Sequence, residues 1–149
     1  MSARLRTVEP GASDRLVIRK FLDSGVLIAA ARALDQEGQR AIQLLKESNR
    51  VFLTSPFVYL EVVPKAILNR KRLEQLFYEK YFGSATWFRD IVRIEALART
   101  EAANAGLGAM DALHVAAARL MEAEQFITIE KPRKAIYRSS LVKVSYLFS

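Results

Sequence analysis

Cysteine is absent from the chain, and histidine occurs once, as His114. Without thiols there is no disulfide framework, thiolate zinc centre or cysteine nucleophile, and the composition fits a reducing compartment. A single histidine excludes a multi-histidine metal site, and any Ser-His-Asp triad would have to use His114. Long apolar runs are also missing. The longest, residues 25–31, stops at Arg32, far short of the ~20 residues a membrane-spanning helix needs. Residues 1–20 carry arginines but no continuous apolar stretch ahead of a small-residue cleavage site. That pattern predicts no signal peptide and a cytoplasmic protein. Repeats, low-complexity tracts and interdomain linkers are lacking. A length of 149 residues, half of them hydrophobic, predicts one domain with a real core, residues 16–149, behind a polar tail, residues 1–15.

Negative charge is scarce as well. Lys and Arg total 23 against 16 Asp and Glu, giving a net charge of +7 and a pI near 9.9. Such an excess is either an ordinary solvated surface or a footprint for a polyanion. Two clusters favour the polyanion: Lys65, Arg70, Lys71 and Arg72, just after Glu61, and Lys131, Arg133, Lys134 and Arg138, just after Glu130.

What is present is a set of four acidic residues, each next to a short apolar run. Asp23 closes residues 16–22, Glu61 follows residues 51–54 and the helix start at Ser55-Pro56, Asp111 opens residues 111–121, and Glu130 follows residues 126–129. Residues 16–22, 51–54, 125–129 and 141–147 read as strands, the last an edge strand because Lys143 and Ser145 interrupt it. Helical spacing covers residues 24–34, 38–48, 56–63, 70–82, 87–105 and 111–121. Ser55 suits an N-cap, Pro56 a first helical position and Gly106 a helix stop, while Pro64 should kink its helix or begin a new one. Strands alternating with helices predict an α/β fold: a mostly parallel central sheet of four to five strands with helices on both faces. In such a sheet the four acids gather at the carboxyl edge of the strands, where ligands bind. Gathered carboxylates repel one another unless a cation neutralises them or some protonate.

Each acid also has a plainer reading. Asp23 could be a helix cap, although Ser24 could serve instead. Glu61 could lie on the exposed side of its helix, and Glu130 could pair with Lys131. Asp111 suits a helix N-terminus, and His114, three residues on, is placed to hydrogen-bond it or simply to pack. Phe77, Tyr78, Tyr81, Phe82, Trp87 and Phe88 supply either a partner-binding groove, a homodimer face or ordinary core.

Taken jointly, the motifs resemble those of PIN-domain nucleases, and among them the toxin ribonucleases of VapBC-type toxin–antitoxin pairs. Leu22-Asp23-Ser24-Gly25-Val26-Leu27-Ile28 matches the first motif, Ser55 through Glu61 the second, and Asp111 through Ala116 (Asp-Ala-x-His-x-Ala) the third. The fourth, Thr-x-Asp, is met in part by Thr128-Ile129-Glu130, with Glu in place of Asp. The resemblance implies a Mg²⁺- or Mn²⁺-dependent cut of a phosphodiester bond in single-stranded or structured RNA, and a small antitoxin as partner. It implies Asp23, Glu61, Asp111 and Glu130 as catalytic residues. Asp23 and Asp111 would ligate the metal, Glu61 would ligate or orient, and Glu130 would assist through water. Ser24 and Thr128 would support these carboxylates, and Lys65, Arg70, Lys71, Arg72, Lys131, Arg133 and Lys134 would hold RNA phosphates. Because Glu is one methylene longer and Mg²⁺ is strict about geometry, Glu130 also leaves a rival reading, a catalytically weak or inactive RNA-binding or interaction module. A small phosphatase of another α/β family is a third.

Overall fold

A computed structural model describes residues 17–149, so the expected tail and Leu16 lie outside the described residues. The first strand, β1 (Ile18–Leu22), is the middle of the sheet. It runs into α1 (Ser24–Arg32), which ends as Ala33 enters the left-handed region at φ 51°. Asp35 then caps α2 (Gln36–Lys46), its side chain accepting from the Gly38 N–H at 2.9 Å. After β2 (Arg50–Thr54), Ser55 caps α3 (Pro56–Leu68) by accepting from the Phe57 N–H at 3.2 Å, with Pro56 in the first turn as expected.

No new helix begins at Pro64: α3 runs on past it. Pro64 and Leu60, four residues before it, both face solvent, so water can satisfy the carbonyl that a proline leaves without a partner. The next helix, α4 (Arg72–Ser84), leads into a strand the sequence did not reveal, β3 (Thr86–Trp87). Trp87 therefore belongs to the sheet, and α5 (Ile91–Ala105) begins only after the Asp90 cap, ending at Gly106 with φ 69°. The last helix is α6 (Ala109–Leu120), followed by β4 (Gln125–Thr128), a 3₁₀ turn (Ala135–Arg138) and β5 (Val144–Tyr146).

All four strand pairings are parallel, in the order β3-β2-β1-β4-β5. The strand order reverses direction between β1 and β4, and their carboxyl ends open the crevice in which α/β sheets bind ligands. Alternate residues of β1 serve opposite faces. Phe21 is fully buried, stacks on Phe126 at 5.5 Å and meets the His114 ring of α6 at 6.3 Å. Lys20 points instead to the α2 side, where Arg40 and Leu44 line a cleft with it. Helices thus cover both faces. The aromatic set of α4 and β3 is core: Tyr78, Tyr81 and Phe82 are buried, while Phe77, Trp87 and Phe88 pack against them half-buried. The exposed apolar residues there are Leu60, Ile67, Leu68, Leu73 and Leu76 of α3 and α4. Among the described residues no helix is long and apolar enough to cross a membrane.

Candidate active site at the carboxyl edge of β1 and β4

Asp23 stands where β1 ends. Its backbone N–H donates to the Ile127 carbonyl at 2.9 Å, which fixes it against β4. Its carboxylate is held twice: Oδ1 accepts from the Ser24 N–H at 2.9 Å, and Oδ2 from the Thr128 hydroxyl at 2.9 Å. The cap expected as its alternative role is therefore present alongside the site, not instead of it. Burial raises the Asp23 carboxyl above the usual carboxylate range, and its hydrogen bonds and the nearby His114 offset this only in part.

Glu61 reaches the same edge from the second turn of α3. His114 Nε2 lies 2.7 Å from Glu61 Oε1. His114 is 1% exposed, and its Nδ1 is buried without a hydrogen-bond partner among the described residues. The proton that Nε2 needs for this bond therefore sits on the nitrogen facing the carboxylate, an assignment made from the bonding pattern. The bond to Asp111 that the i, i+3 spacing allows is not the one His114 makes. The His114 hydrogen bond, ahead of any other influence, holds the Glu61 carboxyl below its usual value, and Ser24 and Lys65 act in the same direction.

Asp111 lies in the first turn of α6, half-buried. Burial first, then the charge of Asp23, pushes its carboxyl up, and the charges of Glu130 and Glu61 add to this. These mutual influences place all four predicted acids in one electrostatic neighbourhood. The tightest group is smaller and differs from the expected one. Asp23, Glu61 and His114 each offer an atom within 4.8 Å of the others, while Asp111 and Glu130 stand outside that set. Atoms that share one ion at about 2.0–2.6 Å must be about this close, so the Asp23 and Glu61 carboxylates are near enough to share a divalent cation, while His114, its Nε2 proton spent on Glu61, orients that carboxylate. Burial is the first cause of the upward push on Asp23 and Asp111, and the neighbouring carboxylates add to it.

Glu130 sits beyond β4, its N–H donating to the Thr128 hydroxyl at 3.1 Å and its carbonyl accepting from the Tyr137 hydroxyl at 2.8 Å. Thr128 thus links Asp23 and Glu130 through one side chain. Lys131 does not pair with Glu130: its ammonium approaches the Tyr146 hydroxyl at 3.4 Å. The basic clusters divide. Lys65 lies one turn beyond Glu61, near enough to favour its ionised form, and Lys131, Arg133 and Lys134 are exposed on the segment after β4. Arg70, Lys71 and Arg72 sit past the far end of α3, more than about 10 Å along the helix from Glu61 at 1.5 Å per residue. Lys71 and Arg72 instead line a groove against α1 with Arg32 and Leu34.

An all-parallel α/β domain with carboxylates converging at its switch point defines a class of acidic-edge domains. The PIN domain family matches residues 20–131, and the chain belongs to that family. Solved structures share the fold. VapBC2 from Rickettsia felis, bound to a promoter DNA fragment, is 16% identical with a TM-score of 0.67, covering 87% of this chain and 98% of its own. VapBC-1 from nontypeable Haemophilus influenzae is 15% identical, TM-score 0.66, covering 89% and 100%. Mycobacterium tuberculosis VapC20, a sarcin-ricin-loop-cleaving toxin, is 19% identical, TM-score 0.60, covering 72% and 86%. No curated protein matches the chain.

Proposed function

We propose that the chain is a divalent-metal-dependent endoribonuclease that hydrolyses phosphodiester bonds in single-stranded or structured RNA and acts in the cytoplasm as the toxin of a toxin–antitoxin pair. The observation that carries the reading is the convergence of Asp23, Glu61 and His114, with Asp111 tied to them by charge. The fold shared with VapBC assemblies and with a toxin that cleaves the sarcin-ricin loop supports it.

In this reading Asp23, Glu61 and Asp111 would hold Mg²⁺ or Mn²⁺, with Glu130 at the margin. When bound, the ion supplies charge neutralisation and Lewis-acid polarisation of the phosphodiester. Ser24 and Thr128 keep the Asp23 carboxylate aimed, and His114 keeps Glu61 aimed. Lys65, Lys131, Arg133 and Lys134 hold phosphates beside the scissile bond, and Arg70, Lys71 and Arg72 engage RNA further along, giving affinity without sequence reading. The exposed leucines of α3 and α4 offer the face for an antitoxin or a second copy.

Digestion of a mixed RNA pool tests this. Cutting with Mn²⁺ or Mg²⁺ should stop with EDTA and fall at least about 10²-fold in Asp23→Asn and in Asp111→Asn. Cutting that survives either substitution would remove that residue from the site. The position of Glu130 outside the tight group favours a second reading, an RNA-binding module without turnover. RNA bound but uncut by the wild-type protein would establish it.

A further inference from the structure

The α2 face of the sheet holds a second site of opposite charge. Lys20, in the middle of β1, is 8% exposed, a rare state for a lysine. Its ammonium lies 3.8 Å from Glu47, whose carboxylate also meets Arg50 at 3.1 Å and Arg40 at 3.8 Å. One acid is thus shared by three cations. Lys20 and Arg40 line a cleft of about 470 Å³, joined by Lys143, the Gln125 amide and the Ser145 hydroxyl. Among the described residues no aspartate or glutamate side chain lines it, and none of Asp23, Glu61, Asp111, His114 or Glu130 does. Tyr137 and Tyr146 form part of its wall, and the Lys131 ammonium sits 5.5 Å over the Tyr146 ring.

We infer that this cleft binds a nucleoside monophosphate, its phosphate held by Lys20, Arg40 and Lys143 and its base set against Tyr137 and Tyr146. The size lies within the range of about 300–1,000 Å³ usual for small-molecule sites. A bare phosphate would leave most of it empty. Cations forced together with too little counter-charge are stabilised by an anion, as surely as crowded carboxylates are by a cation. The Lys20 amine shows the strain: burial, then Arg50, pushes it below the usual lysine range. The Gln125 amide donates to the Ser145 hydroxyl at 3.3 Å, which leaves the hydroxyl's own hydrogen for a phosphate oxygen, and stacking on aromatic rings accepts any base.

The site does not depend on nuclease activity, so it is tested by binding. Full-length protein in EDTA, which removes metal-bridged binding at the carboxylates, is titrated with AMP at low salt by calorimetry. Saturable binding is expected, weakened at least about tenfold by Lys143→Glu and by Arg40→Glu, as for loss of a charged hydrogen bond. Inorganic phosphate should bind at least about tenfold more weakly than AMP, because it makes no stacking contact. Asp111→Asn should bind AMP as the wild type does, and thermal unfolding should confirm that each variant is folded. No AMP binding, or unchanged affinity in a folded Lys143→Glu protein, would overturn the site. Phosphate binding as tight as AMP would overturn the nucleotide, and loss of binding in Asp111→Asn would move it to the carboxylate edge.

Discussion

Lys20 and Asp23 stand three residues apart at one strand, each 8% exposed, and meet opposite surroundings. Asp23 is braced by the Ser24 N–H and the Thr128 hydroxyl, yet faces Glu61 and Asp111. Lys20 has Glu47 across from it, yet shares that acid with two arginines. Among the described residues, both are buried groups whose charge is only partly offset. Burial of a charge is expensive unless it is paired and hydrogen-bonded, so each end of the comparison points to an ion supplied from outside. At the carboxylate edge that ion is a cation. On the α2 face it is an anion.

The greatest loss should come from β1, which carries Lys20 and ends just before Asp23. Phe21 lies between them, fully buried against Phe126 and His114. Phe21→Ala should cost about 3–5 kcal/mol in denaturant unfolding, and both sites should fail with it. Glu47→Gln perturbs the cationic side alone. Removing the acid that three cations share should lower stability by about 1–3 kcal/mol in the same assay and leave RNA cutting intact. His114 sharpens the other side. Loss of its bond to a charged acceptor should slow RNA cutting about tenfold in His114→Leu. His114→Gln, which keeps a donor, should retain more of the rate at similar thermal stability. Equal rates for the two variants would leave His114 a packing residue.

Much of this was legible because its causes are local. The caps at Asp23, Ser55 and Gly106, and the alternation of strand with helix, depend on residues within one turn of each other. The acids came together because parallel α/β topology brings strand ends to one edge. What stayed hidden depends on distant partners or on too few residues. A strand of two residues, Thr86–Trp87, has no period to read. His114 sits three residues from Asp111 in sequence, but its partner Glu61 is 53 residues away on another helix. Lys20 and Arg19 look like breaks in a strand. Glu47 at the end of α2 accommodates the first, and the Met121 carbonyl, which accepts from the Arg19 guanidinium, the second. The aromatics of α4 gave no sign from spacing alone of whether they faced core or partner.

Binding of a divalent cation at the carboxylate edge is read by thermal unfolding with and without Mn²⁺ at about pH 5 and about pH 8. The raised carboxyls of Asp23 and Asp111 favour the metal-free fold at low pH, and that contribution is lost as pH rises through their folded values. The lowered Glu61 carboxyl acts oppositely, its contribution lost as pH falls through its folded value. A cation binds the ionised forms, so the Mn²⁺-induced rise in Tm should be larger at the higher pH and should collapse in Asp23→Asn. A rise that is the same at both pH values, or that survives Asp23→Asn, would contradict the claim.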